Sequence, residues 1–185
     1  GALHEGKAEL TPVGRQMLRL PMHPRYSRML IEASQRGCVP DAALCAALVS
    51  GRDLLARLDR DDAQMKGLRE MFEDSGDSDF ITLMRAYDFA KENGFSFERC
   101  RCHGINAQVA RQVEQTCQQI LNAAQQQRLY DRDGGIPAKG DEALLRCLMA
   151  GFVDQLAKRR VPGKPECDLT EQRQGQLVRE SVVQE

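Results

Sequence analysis

Apolar residues along this chain recur at helical spacing almost everywhere and alternate in only one place. Between Pro24 and Gly37, the residues Tyr26, Met29, Leu30 and Ala33 share a face, Pro24 suits a first helical position and Gly37 suits a left-handed stop. A second helix is predicted from about Asp41 to Val49, with Leu44, Cys45 and Leu48 inward. A third runs through Met65, Leu68, Met71 and Phe72 between acidic flanks. Ser78 or Asp77 then caps a helix carrying Ile81, Leu83, Met84, Tyr87 and Phe89, which Asn93-Gly94 stops. The clearest stripe is Ile105, Val109, Val113, Cys117, Ile120, Leu121 and Ala124, an amphipathic helix of roughly 20 residues. After a loop with Asp133-Gly134-Gly135 and Pro137, the run Leu144, Leu145, Leu148, Met149, Phe152 and Val153 predicts a helix over 141–158. Apolar on most sides, it is expected to be the most buried element.

The texture changes after Val161-Pro162-Gly163. Cys167/Leu169 and Leu177/Arg179 alternate about a turn containing Gly175, which predicts a β-hairpin. Two strands alone are marginal in water, so this end reads as the start of a β domain. GALHEGKAELTPVG likewise opens on apolar residues with nothing before them to pack against, and both ends read as cut.

Composition changes this picture little. The 185 residues carry a net charge of -1, with 42% hydrophobic and 29% charged residues, as in an ordinary soluble globular chain. No apolar run approaches the roughly 18–20 residues of a bilayer span and no secretory segment opens the chain, so no membrane partner is expected. Seven scattered cysteines, an odd number, point away from a disulfide framework and towards a reducing, cytoplasmic setting.

Charge, by contrast, is unevenly distributed. From Arg15 to Arg36 there are five arginines and one glutamate, a balance of +4. From Asp53 to Asp79 there are nine acids and four bases, a balance of -5. Such a split predicts one face able to meet phosphate and another that stays in water.

Catalytic constellations are not found. A nucleotide-hydrolysing loop needs glycines and a Lys-Ser or Lys-Thr pair to hold phosphate and magnesium; Gly6-Lys7-Ala8 and Gly163-Lys164-Pro165 lack the spacing and the hydroxyl. Asp141-Glu142-Ala143-Leu144 looks like an acidic magnesium box, but it follows a Gly/Lys loop instead of a buried strand and reads as a helix start. Cys100-Arg101-Cys102-His103 invites a zinc reading, yet no second ligand pair accompanies it, and a short helix with Cys100 facing the core is the stronger account. His4, His23 and His103 form no triad-like spacing.

The opening stretch LTPVGRQMLRLPMHPRYSRMLIEA resembles the L-T-x-x-G-R-x-M-x-x-L-P-x-x-P-x-x-x-x-M-L signature that follows the motor domains of DEAH-box RNA helicases. Leu10, Thr11, Gly14, Arg15, Met17, Leu20, Pro21, Pro24, Met29 and Leu30 match it, and Gly37-Cys38 falls where that family often has the same pair. Ser78-Asp79 with Leu83 and Tyr87 is similar to the family's S-D-x-x-x-L-x-x-x-Y segment. Residues 146–159, RCLMAGFVDQLAKR, are similar to its C-L-x-x-G-F-x-x-x-x-A-x-R helix. The resemblance implies a mainly α chain: a winged-helix remnant over 1–37, a ratchet-like helical bundle over 38–160, and the start of an OB-like fold over 161–185. It further implies an accessory region, itself non-catalytic, that guides single-stranded RNA and couples it to upstream ATPase domains. ATP and Mg would belong to those domains, and no cofactor to this chain. The sequence departs from the family's C-R-x-x-F-x-x-x-R run, because Gly104 replaces the phenylalanine and Gln108 the second arginine, while Cys100 and Arg101 match.

Two surfaces are therefore candidates for RNA. On the long helix Gln108, Arg111, Gln115, Gln118 and Asn122 recur at steps of three, four, three and four, opposite the apolar stripe, with Arg101 just upstream. Amides donate and accept, so such a row can track phosphate, ribose or base edges without fixing sequence. The competing reading is a solvated helix face. In the opening stretch Arg15 and Arg19 share one face, and Arg25 and Arg28 another. These arginines either meet phosphate or hold the scaffold together. A helical protein-docking module, using the acidic 53–79 region, is the alternative function.

Overall fold

A computed structural model describes residues 2–3, 9–56, 67, 70–73, 78–131, 141–177, 181 and 183. The expected helix through Met65 and Leu68, the Asp133-Gly134-Gly135 loop, Gly6-Lys7-Ala8 and Arg179 lie outside the described residues, as does most of the acidic region. Among the described residues there are seven α-helices: α1 Pro12–Leu18, α2 Pro24–Arg36, α3 Val39–Ser50, α4 Asp79–Glu92, α5 Phe97–Cys102, α6 Ala107–Gln126 and α7 Asp141–Gly151. Strands β1 Ala157–Arg159, β2 Glu166–Leu169 and β3 Gln174–Gln176 form one antiparallel sheet in that order. The mainly α class is thus observed, with a small sheet near the end. No described helix is long and apolar enough to cross a membrane.

The chain divides into two compact units, residues 1–46 with 116–154, and residues 47–115 with 155–185. In the first, α2 packs against α7 and α1. Thr11 caps α1 by accepting from the Gly14 amide at 3.0 Å, and Pro12 and Pro24 occupy first-turn positions where a missing N–H costs nothing. Gly37, with φ 72°, ends α2 as a left-handed cap. Met29, Leu30, Ile31 and Ala33 are buried on α2, and every residue from Ala42 to Leu48 is buried on α3.

Two glycines of the resemblance show why no side chain is tolerated there. A Cβ on Gly14 would lie 2.1 Å from the Ala2 carbonyl oxygen, where Thr11 already docks through its amide at 2.9 Å and its hydroxyl at 3.1 Å. A Cβ on Gly151 would lie 2.8 Å from the Arg25 carbonyl and 3.2 Å from the Met29 Cβ. Gly151 therefore sets how closely α7 approaches α2.

The expected helix over 141–158 is corrected, because its last residues pair with β2 instead. It stops at Gly151, is followed by a 3-10 turn at Val153–Gln155, and Ala157 to Arg159 enter the sheet as β1. Nor is α7 the most buried element: Leu144, Cys147, Leu148 and Gly151 face inward, whereas Leu145, Met149 and Val153 are exposed. That distinction belongs to α3. The expected hairpin becomes three strands, because Val161-Pro162-Gly163 lies in the turn between β1 and β2. Gly175 sits within β3 and not in a turn, since the Leu169 side chain lies over it, 2.8 Å from where a Cβ would be.

In the second unit, residues 54–56 are pinned to the start of α6. The Ala56 amide donates to the Gly104 carbonyl at 2.8 Å and the Asn106 amide to the Leu54 carbonyl at 2.9 Å. Phe72, Phe89 and His103 form a ring cluster, with the Phe89 and His103 centroids 4.4 Å apart. Arg159 donates to the Val183 carbonyl at 2.5 Å and the Ser181 hydroxyl to an Asp79 carboxylate oxygen at 2.8 Å, so the sheet segment and the start of α4 are both tied in.

Candidate nucleic-acid interface

The face of interest begins at a strained turn. Gly94 and Phe95 have φ of 62° and 55°, and the second is unusual for a bulky residue, costing on the order of 1–3 kcal/mol. Three contacts hold Phe95 there. Its amide donates to the Ala90 carbonyl at 2.7 Å, its ring packs on Tyr87 at 6.3 Å, and its carbonyl accepts from the Arg111 guanidinium at 3.0 Å. Arg111 thus fixes the entry of α5 to α6 with one of its five donors, leaving the others available.

Helix α6 starts cleanly because the Asn106 side-chain oxygen accepts from the Gln108 and Val109 amides, each at 3.1 Å. Its buried residues Ala107, Val109, Ala110, Val113, Cys117, Ile120, Leu121 and Ala124 fix its rotation. Gln108, Arg111, Gln115 and Asn122 are consequently exposed, and Gln118 is half-buried with a polar interaction of its own. Gln108, Arg111 and Gln115 fall in the second unit, together with Arg101 on α5. Gln118 and Asn122 fall in the first.

Glu114 is the single acid of α6, and it is neutralised in place. It accepts from the Tyr87 hydroxyl and from the Lys91 ammonium at 3.2 Å. The exposed row beside it thereby escapes an uncompensated negative charge. Among the described residues, Arg101, Gln108 and Gln115 make no side-chain hydrogen bond or ion pair, so a ligand meets donors that need not first be released.

The opening basic stretch is arranged differently. Arg25 is paired with Asp154 and lies over the Phe152 ring, with its guanidinium 5.9 Å from the centroid. Arg28 and Arg36 both grip Glu32, one turn away on either side, at 3.0 and 2.6 Å. The Arg36 hydrogen bonds hold the Glu32 carboxyl below its ordinary value despite its burial, with Arg28 adding to the effect. Three of the five arginines are therefore engaged with carboxylates. Arg15 donates to the Leu10 carbonyl at 2.9 Å, not to an acid, and Arg19 is exposed.

Cysteine placement follows burial. Cys100 faces the core of its unit, where desolvation pushes its thiol up, whereas Cys102 and Arg101 are exposed. In the first unit the Cys38 and Cys147 sulfurs are 3.5 Å apart, and burial drives the thiols of Cys45 and Cys147 up to about 12. Cys45 and Cys147 are therefore packing residues with little thiolate to act as nucleophile or ligand.

Sequence reasoning overlooked Phe97. It is 72% exposed at the start of α5, one turn before Arg101. Its surroundings, Ser-Phe-Glu-Arg-Cys-Arg, already placed an aromatic residue beside the Cys100-Arg101 pair, but short-helix rotation cannot be read without a long stripe.

Residues 23–83 match the family described as helicase associated domain (HA2), ratchet-like. Over those residues, about a third of its length, the chain resembles a ratchet-like helicase-associated domain. The chain is 29% identical over 150 residues to the Schizosaccharomyces pombe pre-mRNA-splicing factor ATP-dependent RNA helicase prp22, covering 81% of the chain and 12% of that relative. It is 28% identical over 162 residues to the Escherichia coli ATP-dependent RNA helicase HrpA, covering 82% of the chain and 12% of the relative. A probable ATP-dependent RNA helicase DHX35 homolog of Caenorhabditis elegans is 23% identical over 164 residues, covering 89% and 22%. The chain thus spans less than a quarter of the length of each of these relatives.

Proposed function

We propose that this chain guides single-stranded RNA past its α5–α6 face and couples the strand to ATPase domains carried elsewhere in the same protein. The observation that carries the reading is the exposed group Arg101, Gln108, Arg111 and Gln115, positioned by Asn106 capping and by the Arg111–Phe95 clamp, next to an acid already neutralised. Neutral amides with few cations give a weak, sequence-tolerant grip, which suits a strand that must slide. Gln118 and Asn122 on α6, Arg15 on α1 and Arg19 at the C-cap of α1 are secondary candidates. ATP and Mg are assigned to the ATPase domains. Residues 1–37 are assigned to a winged-helix portion and residues 161–185 to the start of an OB-like fold. The seven free cysteines support a reducing compartment, the cytoplasm.

The test is alanine at Gln108, Arg111 and Gln115 together in the full-length protein. RNA-stimulated ATP hydrolysis and unwinding should both fall, with ATP hydrolysis in the absence of RNA retained. Unchanged stimulation ends this assignment.

One observation favours protein docking as a second reading. Leu145, Met149 and Val153 are exposed at steps of four along α7 and its extension, an apolar line that RNA does not need. Salt separates the two: binding through phosphate weakens steeply between low and moderate salt, while an apolar contact does not.

A further inference from the structure

Nine aromatic side chains, six Phe and three Tyr, serve this chain, and eight of them are buried or half-buried. Tyr26 and Phe152 face each other, Phe72 and Phe89 meet His103, and Phe95 lies on Tyr87. Phe97 alone is exposed, at 72%, and no described ring packs on it. A side chain left this far in water forgoes the burial that holds the others.

Its neighbourhood is cationic and fixed. Arg101 stands one turn further along α5, exposed and without an ion pair among the described residues. Arg99 donates to the Asn93 side-chain oxygen at 2.5 Å, which anchors α5 to the preceding turn. Arg111 bonds the Phe95 carbonyl two residues upstream of Phe97 at 3.0 Å, so the backbone leading into α5 is tied to α6. Glu98 is the one acid on α5, against two arginines.

We infer that Phe97 is a stacking platform for one unpaired base of the strand, with Arg101 meeting the phosphate beside it. The inference rests on the RNA-guiding reading and deepens it. Every base has a flat π face, so a ring recognises the single strand without selecting sequence, and paired bases offer no such face. Residues four apart on a helix lie about 5–6 Å apart at Cβ, a spacing at which one nucleotide spans ring and guanidinium. The partner chemistry is therefore a single-stranded, base-bearing polynucleotide and not a polyanion in general.

The chain contains no tryptophan, so Phe97→Trp creates a single reporter while keeping an aromatic face. The 185-residue chain is titrated at low salt with fluorescently end-labelled oligouridylate, and with a ribose-phosphate oligomer of equal length lacking bases. Oligouridylate should quench the indole emission of the Phe97→Trp variant, and the baseless oligomer should not. By strand anisotropy, Phe97→Ala should weaken oligouridylate about five- to a hundred-fold and leave the baseless oligomer unchanged. Anisotropy showing oligouridylate bound by both variants with no quenching, or Phe97→Ala weakening both strands equally, overturns the stacking role and leaves RNA guiding intact. Failure of the unsubstituted chain to bind either strand overturns both. Quenching that grows with protein concentration in the absence of a strand assigns Phe97 to self-association and also overturns it.

Discussion

The arginines of α2 and those around α5 and α6 illustrate two uses of the same side chain. On α2, Arg25, Arg28 and Arg36 are each matched to a carboxylate, and the helix they decorate buries Met29, Leu30, Ile31 and Ala33. Around α6, Arg111 is bonded only to a carbonyl, and Arg101 to no described group. Local charge density and available charge are therefore different quantities. The stretch from Arg15 to Arg36, where the balance is +4, is largely satisfied internally. The nearly neutral α6, whose charged residues are one arginine and one bound glutamate, presents the readier surface. A bound arginine must first give up its carboxylate, and the carboxylate then repels the incoming phosphate.

The largest effect should come from breaking the scaffold side of this comparison. Leu30→Ala removes a fully buried side chain of α2 and should cost about 2–5 kcal/mol in urea unfolding. Gly151→Ala should cost roughly 1–3 kcal/mol by the same measurement, since the added Cβ meets the Arg25 backbone, which cannot move aside as a side chain does. Equal stability of Gly151→Ala and the unsubstituted chain would show that α7 is free to shift on α2.

On the other side, Gln108→Arg restores a cation where the resembled family has one. It should tighten single-stranded RNA binding several-fold at low salt and steepen the salt slope by about one unit, with stability unchanged within about 0.5 kcal/mol. Salt titrations of a labelled oligonucleotide check this, and a slope that does not move places position 108 away from the strand.

The smallest effect tests whether the α2 arginines are truly occupied. Glu32→Gln leaves Arg28 and Arg36 without their shared carboxylate and should lower stability by less than about 1 kcal/mol at neutral pH. Because the folded carboxyl sits below its ordinary value of 4.5, its contribution is present above that pH and lost as pH falls through the lower folded value. The variant should therefore show a flatter loss of stability on acidification. RNA affinity should change little; a large gain would return the opening stretch to the strand's path.

What sequence conveyed depended on range. Pro24 and Gly37, Asn93-Gly94, and the stripe from Ile105 to Ala124 are local signals, and α2, α4 and α6 begin and end within two or three residues of the positions they indicate. Even the Arg28–Glu32–Arg36 pairing was readable as spacings of four. The end of α7 was not, because the residues after it pair with a strand about ten positions later, and a continuing apolar pattern conceals the stop. The same holds for Asp154, 129 residues from the arginine it pairs with. At the candidate face, the row on α6 was visible as a periodicity, but the Arg111–Phe95 bond and the exposure of Phe97 depend on how a turn with positive φ aims a six-residue helix.

Cys102 is exposed next to Arg101, whereas the other six cysteines are buried. A maleimide-linked dye or spin label added to the folded chain should therefore attach once, without engineering, beside the surface in question. The protein carries its own attachment point for distance measurements, from which the path of a bound strand can be followed in real time.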